Sequence, residues 1–198
     1  LQRKKSTQSQ KWLSRLMSNY DNVMGFIRIL NHPHGFAIGA RHITVSTCGL
    51  VPMIEKYANE GIQINLAISL HAPNDEIRNK IMPISRKYPI DELMKAVKYY
   101  EQTAGRRVTF EYILLKGIND STDNARELAR LIKGTLAYVN LIPYNPVNEM
   151  KYQRSDEKSV HNFMDTLMKL GVNVTIRKEF GTDIDAACGQ LRAKNESK

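Results

Sequence analysis

The sequence has few cysteines and no long apolar run, and both absences limit what the protein can be. Its 198 residues include two cysteines, Cys48 and Cys188, which stand 140 positions apart. This spacing excludes a disulfide scaffold and favours a reducing compartment, the cytoplasm. No stretch of about 18 or more apolar residues occurs, so no membrane span is predicted. The basic start is not followed by an apolar segment, so no signal peptide is predicted either.

Common cofactor-binding motifs are also missing. The sequence contains no GxGxxG or Walker-type run, which disfavours nucleotide binding of the dinucleotide or P-loop type. It has no CxxC pair and no His/Cys cluster with zinc spacing, so no metal ligands are predicted. A 4Fe-4S cluster needs several thiolates, and this chain has too few to bind one conventionally. We interpret His32 and His34 as loop residues.

Positive charge exceeds negative charge, but unevenly along the chain. The 29 Lys+Arg against 20 Asp+Glu give a net charge of +9, which suggests a nucleic-acid partner. Residues 1–19 carry five of the basic residues and no acid, which leaves +4 for the rest. The leader, residues 1–18, is either an RNA-binding arm or, as its composition favours, a disordered extension.

Hydrophobic periodicity alternates between strand and helix from Tyr20 onward. We predict strands at 43–47, 62–70, 108–115, 138–144 and 172–177. We predict helices at 20–31, 51–60, 75–82, 91–103, 122–133 and 156–170. The alternation indicates an α/β protein with a parallel sheet, either an open doubly wound sheet or part of a barrel. The nearly continuous apolar run at 62–70 predicts a strand covered on both faces.

Several local features refine these elements. Asp21 is a possible N-cap of the first helix, and Thr122 or Asp123 of the fifth. Pro52 is expected in the first turn of its helix. The last helix is expected to bury one face, made of Val160, Phe163, Met164, Leu167 and Met168.

Polar residues gather where the predicted strands end. In parallel α/β proteins chemistry occurs at the carboxyl ends of the strands. The residues at those positions are expected to surround one opening: Ser46, Ser69, His71, Lys116 and Asn145. They suit a polar small molecule with hydroxyl, carboxylate and amine groups. Each also has a plain structural role open to it, because serines cap helices and asparagines shape turns.

The two cysteines point to different environments. Cys188 lies in DIDAACGQL, outside the strand–helix alternation, where a side chain is freer to reach a site. The nearby acids Asp183 and Asp185 disfavour a thiolate, so spacing alone favours a buried structural thiol. Cys48, next to Gly49, is interpreted as a small packing residue.

Six segments, in order, resemble the RlmN/Cfr family of radical S-adenosylmethionine (SAM) enzymes, which methylate adenine in ribosomal RNA. The segments are ARHITVSTCGLVP, INLAISLHAPND, IRNKIMPISRKYPI, GRRVTFEYILLKGIND, VNLIPYNPV and GTDIDAACGQLR. The likeness is greatest to the RlmN branch, which acts on 23S rRNA and tRNA. It covers about residues 19–194.

The resemblance implies the C-terminal part of a radical-SAM partial (β/α) barrel, with mainly parallel strands and SAM at the strand mouth. The SAM-binding residues it implies are Ser46, the run Ser69, Leu70 and His71, and Asn145. Cys188 matches the family's methyl-carrying cysteine. In the family mechanism this thiol is methylated by one SAM. A radical made from a second SAM at the reduced cluster then activates the methyl group, which adds to carbon 2 of adenine.

The sequence also departs from the family pattern. The CxxxCxxC cluster motif, the resolving cysteine, the GMGEP segment and the N-terminal RNA-binding domain all lie upstream in the family, and none has an equivalent here. The resemblance therefore implies a leader at 1–18, a partial barrel at 19–182 and a C-terminal loop with the methyl-carrying cysteine at 183–198.

Three functional interpretations follow from these observations. The first is an RNA adenine-C(2) methyltransferase, cytoplasmic and without a membrane partner, that uses SAM, a cluster and a one-electron reductant. This chain would be its catalytically incomplete part. The second is a non-catalytic remnant with residual SAM or RNA binding. The third is an unrelated barrel enzyme that uses Lys116 to form a Schiff base. Because the first strands of the barrel are lacking, we also expect an exposed edge at 43–47 and self-association.

Overall fold

The computed structural model describes residues 19–146 and 151–177. Within them lie six α-helices: α1 (Tyr20–Asn31), α2 (Val51–Ala58), α3 (Asp75–Ile81), α4 (Ile90–Ala104), α5 (Thr122–Leu131) and α6 (Glu157–Lys169). The same residues form five strands: β1 (Thr44–Thr47), β2 (Asn65–Ser69), β3 (Val108–Leu114), β4 (Tyr138–Pro143) and β5 (Asn173–Ile176). None of the described helices is long and apolar enough to cross a membrane.

The five strands form one all-parallel sheet in the order in which they occur along the chain. Each strand hydrogen-bonds to the next, from β1 through β5. Every connection therefore moves one position in the same direction, as in a barrel, whereas a doubly wound sheet reverses direction. The predicted α/β partial barrel is confirmed.

One face of the sheet packs against the helices. Along β3 every second side chain is fully buried, and Phe110 and Tyr112 are among them. Tyr112 stacks on Phe163 of α6 with ring centroids 5.2 Å apart. Leu66 and Ile68 of β2 join the same apolar cluster. Burial of these side chains is the main driving force that holds the helices on this face.

The opposite face of the sheet carries mostly polar side chains, and we call it the open face. Its polar members are Thr44, Ser46, Asn65, Ser69, Thr109, Glu111, Tyr138, Asn140, Asn173 and Thr175. None of them belongs to the apolar cluster formed by the described residues. The open face is thus the part of the sheet that can receive a ligand.

The second strand is covered on both faces only at its centre, where Ala67 of the open face is buried. The strand spans Asn65–Ser69 only, and its end residues lie on the open face. Ile64 is buried before the strand begins, and its carbonyl accepts a 2.5 Å hydrogen bond from the Tyr100 hydroxyl. The apolar run therefore reflects burial of the approach to the strand as well as of the strand itself.

Two predicted helix caps differ from the structure. Helix α1 begins after Asn19 and not at Asp21, with no side-chain cap. Helix α5 is capped by Ser121, whose hydroxyl accepts from the Asn124 N–H at 3.1 Å, and not by Thr122 or Asp123. Neighbouring polar residues compete for such positions, and the backbone conformation of the preceding loop decides between them.

Two further details of the elements differ. Met168 is 56% exposed, although the sequence places it on the buried face of α6. Val160, Phe163 and Leu167 cover the core there, and Met168 stands about 110° around the helix from the centre of that stripe. Two short 3₁₀ helices, Ala40–His42 and Pro83–Arg86, were not predicted. The leader and the loop at 183–198 lie outside the described residues.

Candidate functional site

Two of the predicted site residues lie on the open face of neighbouring strands. Ser46 of β1 is exposed and pairs in register with Ala67 of β2. Ser69, the last residue of β2, lies two positions beyond Ala67 and therefore on the same face. The two hydroxyls thus occupy adjacent strands near the carboxyl edge of the sheet, as the sequence predicts.

The chain turns sharply immediately after β2. His71 has a φ of 58°, a left-handed conformation that is uncommon for a residue with a side chain. The N–H groups of Leu70 and His71 both donate to the Glu111 carbonyl, at 3.1 and 3.2 Å. Strained residues of this kind persist only where their surroundings fix them, and they are concentrated at functional sites.

Leu70 holds this turn in place. Its side chain is fully buried in the apolar cluster. Its N–H donates to the backbone carbonyl of Glu111, and its own carbonyl accepts a hydrogen bond from Arg78 Nε at 3.2 Å. Any contribution of Leu70 to a ligand site is therefore to position Ser69 and His71 on either side of it.

The His71 imidazole is neutral and oriented. Its Nδ1 accepts the Ile113 N–H at 3.2 Å, so the neutral ring carries its proton on Nε2. Burial, and secondarily the charge of Arg78, lowers the pKa of His71 to about 4, and a contact with the Glu111 backbone opposes this weakly. At neutral pH the ring therefore offers an uncharged Nε2–H donor.

Asn119 fixes the other side of the His71 turn. This side chain is fully buried. Its Nδ2 donates to the carbonyls of His71 (2.8 Å) and Ile113 (2.7 Å), and its Oδ1 accepts the Leu115 N–H at 2.7 Å. Because one of these bonds reaches the turn after β2 and the other two hold the end of β3, Asn119 ties the loop after β3 to the His71 turn.

Arg78 also fixes the backbone next to this turn. Its guanidinium is fully buried and donates to four carbonyls: those of Cys48 (3.0 Å), Ser69 (3.4 Å), Leu70 (3.2 Å) and Tyr88 (3.3 Å). Burial lowers the pKa of Arg78. The Arg78 guanidinium thus links the backbone at the ends of β1 and β2 through its hydrogen bonds.

Lys116 and Asn145, two further predicted site residues, lie on loops beyond the ends of β3 and β4. Lys116 is exposed in the loop after β3, where its N–H donates to the Gln153 carbonyl at 2.9 Å. Asn145 is exposed two residues after the end of β4. The structure brings together Ser46, Ser69 and His71, and it leaves Lys116 and Asn145 on loops at the same edge.

Of the two cysteines, Cys48 lies among the described residues. Cys48 is a partly buried free thiol whose pKa is raised by burial. Cys188 lies outside the described residues. Among the described residues no group of three or more His, Cys, Asp or Glu side chains is arranged to hold a metal ion.

The structure adds a row of polar side chains that sequence analysis missed. Ser69, Glu111 and Asn140 pair in register across three strands, and Thr175 of β5 continues the row. Asn140 Nδ2 donates to both carboxylate oxygens of Glu111, at 3.3 and 3.1 Å. The alternation of polar and apolar residues in VTFEYIL could have revealed Glu111, because a strand with one open face has a period of two.

Among the described strands, β1 is paired on one side only and forms an edge of the sheet, as expected from the sequence. Beside it, between α1 and β1, lies a cleft of about 450 Å³. Its lining is largely apolar and includes Val23, Phe26, Ile27, Val45 and Met53. Self-association through this edge stays a prediction.

The fold and the site together define a class of protein. A parallel sheet with helices on one face, and with polar groups converging at the carboxyl ends of its strands, is the architecture of partial-barrel enzymes. A family model described as the radical SAM superfamily matches residues 17–129. The chain belongs to the radical SAM superfamily.

Relatives and solved structures narrow the resemblance. Proteins named probable dual-specificity RNA methyltransferase RlmN match at 58% identity over 178 residues in Spiroplasma citri and 61% over 179 residues in Listeria welshimeri. The first match covers 90% of this chain and 51% of the relative, and the second 89% and 49%. The chain thus spans about half the length of the curated relatives it matches.

Two solved structures share the fold. A radical SAM methyltransferase from Sphaerobacter thermophilus has a TM-score of 0.84 and 49% identity, over 88% of this chain and 51% of that one. A domain of the pyruvate-formate lyase-activating enzyme from Bacteroides vulgatus has a TM-score of 0.59 at 17% identity, over 80% and 93%. The second likeness concerns the fold alone. The resemblance to the RlmN branch seen in the sequence motifs is confirmed.

Proposed function

We propose that this chain is the SAM-binding and methyl-carrying part of a radical-SAM enzyme that methylates carbon 2 of adenine in 23S rRNA and tRNA. The observation that carries the proposal is the His71 turn. In a chain similar to RlmN proteins, a strained residue at the end of β2 is fixed by two buried side chains and faces a polar strand mouth. Such costly local order at a strand end is typical of a ligand site.

The residues present fit SAM. Hydroxyls of Ser46 and Ser69, the Nε2–H of His71 and the amide of Asn145 are the groups that would hold it, with Leu70 positioning two of them. When bound, SAM supplies a methyl group and, after reductive cleavage, a hydrogen-abstracting radical. The neutral His71 donates a hydrogen bond without adding a positive charge beside the sulfonium of SAM.

The residues present do not fit an iron–sulfur cluster. A cluster requires several thiolates, and the chain has two cysteines, of which Cys48 has a pKa raised by burial. We therefore attribute to this chain no step that passes through a cluster. In the proposal, the ligands of a 4Fe-4S cluster and the one-electron reductant come from elsewhere.

Cys188 is the proposed methyl carrier. Its thiol would lose a proton, and its sulfur would take the methyl group of SAM to form a thioether, with S-adenosylhomocysteine as the leaving group. The later step that joins the methyl carbon to the base and breaks its bond to sulfur would need the cluster, and we do not attribute it to this chain. A carrier is needed because carbon 2 of adenine is electron-poor, so that direct transfer of a methyl cation to it is disfavoured. Adenine is reached only when it is unstacked from its neighbours, so the RNA partner presents an exposed base in a loop. The proposed location is the cytoplasm.

Binding of SAM is the first test. Equilibrium dialysis with labelled SAM should show binding by the wild-type chain and a loss of at least about tenfold in the double variant Ser46→Ala/Ser69→Ala. The matched control is Gln102→Ala/Thr103→Ala, which removes two exposed polar side chains near the end of α4. Equal affinity of the double variant and wild type would count against the site.

Methylation is the second test. The chain is expressed in cells that lack 2-methyladenosine, together with the N-terminal half of the Listeria welshimeri relative, and 23S rRNA and tRNA are digested for mass spectrometry. We expect 2-methyladenosine with the wild-type chain and none with Cys188→Ala. Binding of SAM without methylation would favour the alternative, a non-catalytic remnant. A Schiff base trapped at Lys116 by borohydride would support the unrelated enzyme.

A further inference from the structure

Glu111 is the acidic side chain of the open face. Among the described residues of that face it alone carries a negative charge, and it stands in register between Ser69 and Asn140. The residue is partly buried, so its carboxylate is only partly accessible to water.

The carboxylate is oriented by a short chain of hydrogen bonds. Thr175 Oγ1 donates to Asn140 Oδ1 at 3.4 Å, which leaves the Asn140 NH₂ group to donate to the two oxygens of Glu111. The backbone of Glu111 is fixed as well, because its carbonyl binds the N–H groups of Leu70 and His71. The position of the carboxylate is thus tied to the same turn that presents His71.

No cation of the described residues pairs with Glu111. The four ion pairs found among those residues all lie elsewhere: Arg28–Glu60, Lys56–Asp21, Lys80–Glu76 and Arg126–Asp123. A carboxylate has about four acceptor positions, and Asn140 uses at most two of them. With respect to the described residues, Glu111 therefore has acceptor capacity left and its charge is not paired.

We propose that Glu111 accepts the two ribose hydroxyls of bound SAM, an inference that rests on the proposed function. A vicinal diol can present two O–H groups to the two oxygens of one carboxylate. In dinucleotide-binding parallel sheets an Asp or Glu hydrogen-bonds the ribose 2′-hydroxyl, which is the same kind of contact. The α-ammonium group at the amino-acid end of SAM would also attract a carboxylate, and the series of ligands below distinguishes the two ends. Glu111 is thus a positioning residue that fixes the sugar beside Ser69 and His71.

The test is a thermodynamic cycle between Glu111 and the ribose. Binding of SAM, 5′-methylthioadenosine and 2′,3′-dideoxy-5′-methylthioadenosine is measured by calorimetry for wild type and Glu111→Gln. The substitution removes the charge and keeps the shape. We expect SAM and 5′-methylthioadenosine each to bind about tenfold more weakly to the variant, and the dideoxy compound to bind both proteins equally.

The matched control is Glu55→Gln, which changes an exposed carboxylate on α2 and should leave all three affinities unchanged. If Glu111→Gln lowers the unfolding temperature, Glu111→Asp is measured in the same cycle. It keeps the charge but withdraws it by one methylene, and it should also weaken only the ribose-containing ligands.

Each other outcome overturns the inference in a recognisable way. A loss for SAM but not for 5′-methylthioadenosine would assign Glu111 to the amino-acid end. Unchanged affinities in the variant would show that Glu111 does not touch the ligand, while the proposed function stands. If the wild-type chain binds none of the three compounds, the SAM site itself fails, and with it this inference.

Discussion

Arg78 occupies the space that a side chain at Gly49 would need. A Cβ built on Gly49 would lie 2.8 Å from Arg78 Nη2, and Gly49 has a φ of +94°. The guanidinium cannot move aside cheaply, since it is buried and bound to the Cys48 carbonyl. Gly49 and Arg78 therefore form one unit at the ends of β1 and β2.

Gly49→Ala should accordingly lower the free energy of unfolding by about 2–4 kcal/mol, through both the clash and the positive φ. The control is Gly134→Ala, where φ is +81° but no atom lies within 4 Å of the added carbon. That substitution should lower the free energy of unfolding by only about 1 kcal/mol. Urea denaturation measures both, and equal costs would show that the contact with Arg78 is unimportant.

Arg78→Met should destabilise the chain by at least about 3 kcal/mol, because carbonyls at two strand ends lose their donor. Met fills a similar volume, so the loss reports hydrogen bonds and not a cavity. Arg130→Met, at an exposed position of α5, is the control and should change little. Thermal unfolding measures the stability of both variants. An Arg78→Met chain as stable as wild type would contradict the role given to the guanidinium.

His71 should make folding sensitive to acid. The pKa of His71 is about 4 in the folded chain, against 6.5 for an ordinary histidine. Between these pH values the unfolded chain binds a proton that the folded chain does not. The free energy of unfolding should therefore fall as the pH drops through this window, by about 3 kcal/mol from His71 alone.

The measurement for His71 is urea denaturation from pH 7.5 to 4. His71→Gln should show a shallower fall than wild type, whereas His34→Gln, at an exposed loop position, should keep the full slope. Parallel curves for wild type and His71→Gln would mean that the His71 ring titrates normally.

Asn119→Asp should cost about 2–4 kcal/mol, although the two side chains have the same shape. The carboxylate has no NH₂ group to donate, so the carbonyls of His71 and Ile113 would face an anion. Asn162→Asp, exposed on α6, serves as the control. Chemical denaturation compares them, and similar stabilities would show that the Nδ2 bonds contribute little.

Cys48 should react slowly with alkylating reagents, because burial raises the pKa of its thiol and shields it. In the Cys188→Ser variant Cys48 is the remaining cysteine, so its alkylation by iodoacetamide at pH 8 can be followed alone. The rate should be below that of glutathione and should rise when the chain is denatured. A rate equal to that of glutathione in the folded chain would contradict the burial.

The sequence predicts the architecture well because its signals are local. Helix α1 has the predicted bounds, since Val23 and Ile27 repeat at helical spacing on the side that meets the core. The strand–helix alternation gives the parallel sheet in the same way. The apolar run predicts too early a start for β2, because Ile64 is buried without being part of the strand. Hydrophobicity indicates burial, and only its periodicity indicates secondary structure.

The site was predictable only in part. Position at a strand end identified Ser69 and His71, but the positive φ of His71 depends on Asn119, which is 48 residues away along the chain. Likewise, Glu111 and Asn140 are 29 residues apart and meet only through the register of β3 and β4. Such long-range hydrogen bonds leave no periodic trace in a single sequence.

The order of the strands has a consequence for how the chain folds. Because every strand pairs with the one that precedes or follows it in sequence, the sheet closes no loop longer than a single strand–helix–strand unit. Contact order is therefore low for a parallel sheet, and the entropy of bringing distant segments together is small. Folding can spread from unit to unit, as in a repeat protein, so the sheet can grow by one strand–helix–strand unit at a time.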